Sequence, residues 1–147
     1  PAKSIADLVA AKPIARVTKS TPQTLTTTAT IVKFDTETFD VGNCFNTTVN
    51  QYIPPAGYYR MTVTGSFISS ESTPLSTVAT FQIYKNGSPY HTMETKTLSA
   101  STVVAFSMSD IVQVDGDDAL DLRAKMSVET SSVTLYQCVV TFEKISD

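Results

Sequence analysis

Tryptophan is absent from these 147 residues, histidine occurs once, cysteine twice and glycine five times. Each scarcity removes a class of function. Any Ser-His-Asp arrangement would have to pass through His91, which follows the turn Asn86-Gly87-Ser88-Pro89 among polar residues, and no nucleophile-elbow pattern accompanies it. His91 therefore reads as a surface residue and the chain as no enzyme. No cysteine-histidine spacing fits zinc and no glycine-rich loop fits a nucleotide, so no cofactor is expected. Basic residues are few, 11 against 14 acidic, and a net charge of -3 leaves no excess of Lys and Arg to displace counterions from a nucleic acid. No apolar run approaches the roughly 20 residues that span a bilayer, and the first residues lack the basic start and apolar centre of a signal peptide. No membrane partner is expected. Pro1-Ala2 are small residues of the kind left when an initiator methionine is trimmed, which predicts a product made in a cytoplasm. There Cys44 and Cys138 are expected as two separate buried thiols rather than a bridge.

What the chain does have is Thr, Ser and Val in quantity, with 41% apolar residues, a composition that favours the pleated sheet because β-branched side chains fit it. The length predicts one core-forming domain. Apolar residues recur at every second position in Tyr59-Met61-Val63, in Ala79-Phe81-Ile83 and in Leu120-Leu122-Ala124-Met126-Val128, each run the buried face of a strand. Strands are expected over 30–34, 45–46, 52–53, 58–69, 78–85, 90–96, 103–112, 119–128 and 133–144, separated by turns at Asn86-Gly87, Asp115-Gly116 and 70–76. In the last strand Cys138, Val139 and Val140 are consecutive, which predicts burial on both faces: one in the core and one under another subunit. Tyr58, Tyr84 and Tyr136 alternate with core residues and join Cys138 and Val140 as the expected trimer interface. The acidic cluster Asp115, Asp117, Asp118 and Asp121 matches no calcium loop and reads as turn chemistry, so no metal is expected. The sequon Asn46-Thr47-Thr48 is expected to go unused in a cytoplasmic product.

One stretch carries a resemblance. Phe34, Asp40, Phe45 and Tyr52 lead through Pro54-Pro55-Ala56-Gly57 into Tyr59, Met61 and Val63, and the order and spacing resemble the signature of the globular head of complement component one-q. That family shares its trimeric jelly roll with tumour necrosis factor. The resemblance continues through Ile83-Tyr84-Lys85-Asn86-Gly87, Val114-Asp115-Gly116-Asp117 and the closing Val140-Thr141-Phe142-Glu143-Lys144-Ile145. Four residues separate Tyr52 from Gly57 where the family has five, and Met61 and Val63 stand where it prefers aromatics. The resemblance implies an all-β, two-sheet antiparallel jelly-roll sandwich that assembles with itself as a homotrimer.

Residues 1–29 are expected to lie outside the sandwich of 30–147. Ser4 and Asp7 form a capping-box pattern, Ile5, Leu8 and Val9 share a helical face, and Pro13 ends the run. So short a helix does not hold itself together in water and needs something to dock on. The Pro- and Thr-containing stretch 13–29 reads as an extended connector, and the two together as an arm. A stand-alone head with such an arm points to a structural virion protein: a capsid decoration or cement protein on the outer surface of a bacteriophage shell, with Ile5, Leu8 and Val9 docking on the major capsid protein. The alternative is a receptor-binding or adhesion head of a fibre tip or lectin-like module.

Overall fold

The computed structural model describes residues 12–69, 78–97, 103–127 and 133–147. Among them the chain forms β1 (Ile14–Lys19), β2 (Gln23–Thr24), β3 (Thr30–Ile31), β4 (Thr36–Val41), β5 (Phe45–Asn46) and β6 (Gln51–Tyr52). The longer strands follow: β7 (Gly57–Ser69), β8 (Val78–Lys85), β9 (Ser88–Thr97), β10 (Val103–Val114), β11 (Leu120–Met126) and β12 (Val133–Ser146). They build two antiparallel sheets. The first runs β10-β7-β12-β1-β4 with β2 on β12, and the second runs β5-β6-β11-β8-β9 with β3 on β11. Sequence-distant strands sit side by side in both, as in a jelly-roll sandwich. The expected helix and its residues Ile5, Leu8 and Val9 lie outside the described residues.

Aromatic side chains join the two sheets. Tyr52 of the second sheet stacks on Phe142 of the first with ring centroids 4.3 Å apart, and Phe45 and Tyr59 close round the pair. Farther along the sandwich, Phe81 meets Phe106 at 4.3 Å and Phe67 at 5.0 Å. Such pairs each add about 0.5–1.5 kcal/mol beyond the burial of their area. The aromatic signature of the sequence is thus the core itself: Phe34 packs edge-on against Phe45 at 6.0 Å, and the Asp40 carboxylate accepts hydrogen bonds from the backbone of Cys44 and Phe45, fixing the corner between β4 and β5.

Two expectations need correction. The connector over 13–29 is largely part of the head, because β1 lies between β12 and β4 with Ala15 and Val17 fully buried, and Leu25 is buried beyond it. Its alternation is masked in the sequence because the third inward side chain is Lys19, a charge in a core position. That ammonium donates to the Lys33 carbonyl at 3.0 Å, and burial lowers its pKa against the opposing pull of Asp35. Cys138 and Val140 are the second correction, since both are fully buried in the chain's own core and have no surface to offer a partner. The pairing of β12 with β7 slips between Leu135 and Gln137, a bulge that resets the alternation so that Val139 alone points outward. Gly65 permits this bulge. A Cβ there would collide with the Gln137 carbonyl and stand 2.6 Å from the Phe106 ring.

Asp35 fixes the corner that follows β1. Its carboxylate accepts hydrogen bonds from the Ser20 and Thr21 backbone amides, at 3.0 and 2.8 Å, and from the Ser20 hydroxyl at 2.9 Å. Partial burial pulls its pKa upward, but these donors outweigh that effect and hold it far below the ordinary carboxylate range. The native state therefore keeps this group ionised to lower pH than the unfolded chain does. Its contribution is complete above the unfolded value of about 4 and drains away as the pH falls towards the native one. Asp35→Asn should lower the melting temperature at neutral pH, and the gap from wild type should narrow steadily below about pH 4. Thermal melts across that range test this, and a gap that does not change with pH contradicts it.

Candidate subunit interface

The two sheets differ on their outward faces. Across the first sheet the strand register lines up Ser109, Thr62 and Thr141 in one row and Ser107, Thr64 and Val139 in the next. Beside them Arg16 donates to the Thr141 hydroxyl at 3.3 Å and lies 5.4 Å over the Phe39 ring, so its guanidinium has partners on both neighbouring strands. Arg60 and Glu143 pair on the same face at 3.4 Å. Across β10, β7 and β12 the two rows thus present only short, uncharged side chains. The second sheet's outward face carries Arg123 and Lys125 beside a wholly buried Asp121 carboxylate, which Arg123 meets at 2.8 Å while its guanidinium stands 4.1 Å over Tyr84. Charge depletion at the centre of a face is a mark of an interface core, and charge is ordinary where a face meets water.

The expected tyrosines do not form one patch. Tyr58 and Tyr136 are exposed on the first sheet but at opposite ends of it, Tyr58 beside Ser146 and Tyr136 at the bulge facing Ser66 and Phe67. Tyr84 belongs to the second sheet. The hydroxyl rows went unnoticed in the sequence because Thr and Ser on an outward face look like ordinary solvated positions. Only the cross-strand register shows that they form a continuous field.

The remaining candidates have structural partners. Asp118 ties two turns together: its carboxylate accepts from the Asn86 side-chain amide at 2.6 Å and from the Asp115 backbone at 2.9 Å, with the Lys85 ammonium 3.3 Å away. The Asn86 bond first, and then Asp115, lower its pKa. Asp115 accepts from Gln113, and Asp121 lies apart on β11. No group of three metal-ligating side chains converges among the described residues. Both cysteines are free thiols, and burial pushes Cys138 up to about 12. Cys44 lines a shallow polar groove with Asn43, Asn46, Thr47 and Ile53. His91 of β9 pairs with Asp110 of β10, clasping the edge strands of the two sheets.

No protein-family model and no curated protein matches the sequence. Solved structures do match in fold. The globular domain of zebrafish complement 1qA protein aligns over 91% of this chain and 98% of its own, with a TM-score of 0.70 at 13% identity. Eiger TNF from S. frugiperda aligns over 93% and 95% with a TM-score of 0.66 at 11% identity, and murine APRIL over 92% and 100% with 0.61 at 8%. The chain is therefore an all-β jelly roll with the fold of these complement-1q and tumour-necrosis-factor-like domains. At these identities the likeness establishes the fold and leaves function to the sites.

The His91–Asp110 pair is more than half exposed on the histidine side, where an ion pair contributes about 0–1 kcal/mol. His91→Ala should therefore cost less than about 1 kcal/mol in urea unfolding. A larger loss would make the clasp a principal support of the sandwich.

Proposed function

We propose that this chain is a non-catalytic, homotrimeric head that decorates a virus shell, a bacteriophage capsid in the leading case, and that its N-terminal arm grips the major capsid protein. The subunits meet through the outward face of the first sheet, around a threefold axis that closes the assembly. The short, uncharged side chains that these two rows present across β10, β7 and β12 support that choice of face. Self-association of this kind also fits the resemblance to trimeric jelly rolls.

The observation that carries the arm's role is where the chain enters the sandwich. Ile14 pairs with Val41 and Glu143, so β1 begins at the end that also holds the C-terminus, and Pro13 accepts a hydrogen bond from the Lys144 backbone. The strand ends bounding 70–77, 98–102 and 128–132 gather at the opposite end, where Val133 pairs with Ser69, Val103 with Ile68 and Met126 with Ala79. A chain that leaves at one end can hold a surface there while the other end projects. Three apolar side chains, Ile5, Leu8 and Val9, offer about 3–6 kcal/mol when covered, after the cost of ordering them. Three such arms on one trimer reinforce one another through effective concentration.

The correction to β1 decides where a truncation must fall. Removing residues 1–12 spares Ile14–Lys19 and should leave a folded head that no longer attaches to undecorated shells, whereas Leu8→Asp should weaken attachment without changing the head's melting temperature. Binding to emptied shells tests this. Full-occupancy decoration by the truncated head overturns the arm's role, and an intact protein that ignores shells but binds host cells overturns decoration altogether.

A further inference from the structure

We propose that Asn86 is a site of spontaneous modification, an Asn-Gly step whose conversion to aspartate or isoaspartate is suppressed, while the head is folded, by the clip to Asp118. The step has the chemistry for it. Asparagine is thermolabile, and Gly87 presents a backbone nitrogen with no side chain beside it; even a Cβ built there would meet nothing within 4 Å. Once that nitrogen gives its proton to water, it attacks the Asn86 side-chain carbonyl carbon. A C–N bond forms, the bond to the side-chain nitrogen breaks, and the nitrogen leaves as ammonia. The resulting five-membered imide takes up one water at either carbonyl and opens to aspartate or isoaspartate. The balance is one water in and one ammonia out, with no oxidant or reductant.

The fold opposes the first movement. Attack requires the carboxamide to swing onto its own C-terminal neighbour, yet both of its polar atoms are held by the adjacent turn that leads into β11. The side-chain nitrogen donates to Asp118 at 2.6 Å and the side-chain oxygen accepts from the Ala119 backbone at 2.9 Å. The Asn86 backbone amide is also engaged, donating to the Ala119 carbonyl at 2.9 Å. Release thus requires a local opening that breaks a charge-assisted hydrogen bond and its neighbour together. Conversion then prevents reclosure. A carboxylate at position 86 has no N–H for Asp118 and sets two like charges beside one Lys85 ammonium, and isoaspartate adds a carbon to the backbone of a two-residue turn that already holds Asn86 at φ 53 and Gly87 at φ 77.

Peptide mapping by mass spectrometry of the full chain, incubated at mildly alkaline pH with and without urea, tests the proposal. Asn46 and Asn50, which no glycine follows, serve as internal references. Native wild type should lose the Asn86 amide at least about tenfold more slowly than unfolded wild type, and native Asp118→Ala should approach the unfolded rate. Equal rates in native and unfolded wild type overturn the proposal. So does an Asp118→Ala head that folds, by circular dichroism, and stays as slow as wild type. If that variant does not fold, the native-to-unfolded ratio of wild type still decides.

Discussion

Contact between aromatic rings of the two sheets is the constraint on which the rest of the structure depends. Tyr52 on Phe142 and Phe81 on Phe106 and Phe67 fix the spacing and mutual angle of the sheets, and with them which side of every strand faces inward. Once Phe142, Val140 and Cys138 are committed to that core, Thr141 and Val139 have to point outward. The hydroxyl rows on the first sheet are therefore the reverse side of the core pattern. Two opposite demands, aromatic packing inside and rows of short, uncharged side chains outside, are written into alternate residues of the same strands.

The two sheets then divide the labour. The second sheet exposes charge and keeps the buried Asp121 carboxylate paired with Arg123. On the first sheet the charges of the Arg60–Glu143 pair and of Arg16 over Phe39 stand next to rows that carry only short, uncharged side chains across β10, β7 and β12. Carboxylates hold the corners of both sheets: Asp40 and Asp118 meet backbone amides or side-chain donors of nearby turns, and Asp35 does the same beyond the other end of β1.

The fold was legible in the sequence where alternation was clean. The runs Tyr59-Met61-Val63, Ala79-Phe81-Ile83 and Leu120-Leu122-Ala124-Met126 are buried at those positions, and the strands from β7 to β12 fall close to their expected bounds. It failed where a rule of period two was broken by something only a partner strand can supply. The bulge opposite Ser66 and Phe67 turned three consecutive apolar residues into two core positions and one surface position, which reversed the roles of Cys138 and Val140. Lys19, buried through its bond to the Lys33 carbonyl, hid β1 inside an apparent connector, and the polar run Thr36–Val41 hid β4 at a sheet edge where little of it needs burial. The candidate interface was hidden for a different reason. Thr62, Thr141 and Ser109 are distant in sequence and become a surface only through register.

The central claim is that the outward face of the first sheet joins three copies of the chain. The most direct measurement is the mass in solution by light scattering at micromolar concentration, for wild type and for Thr64→Lys, whose long charged side chain would stand in the middle of that face without touching the core. The account predicts about three times the 15.9 kDa chain mass for wild type and a folded single chain for the variant. A wild-type mass of one chain, or a Thr64→Lys protein that remains trimeric, would contradict it.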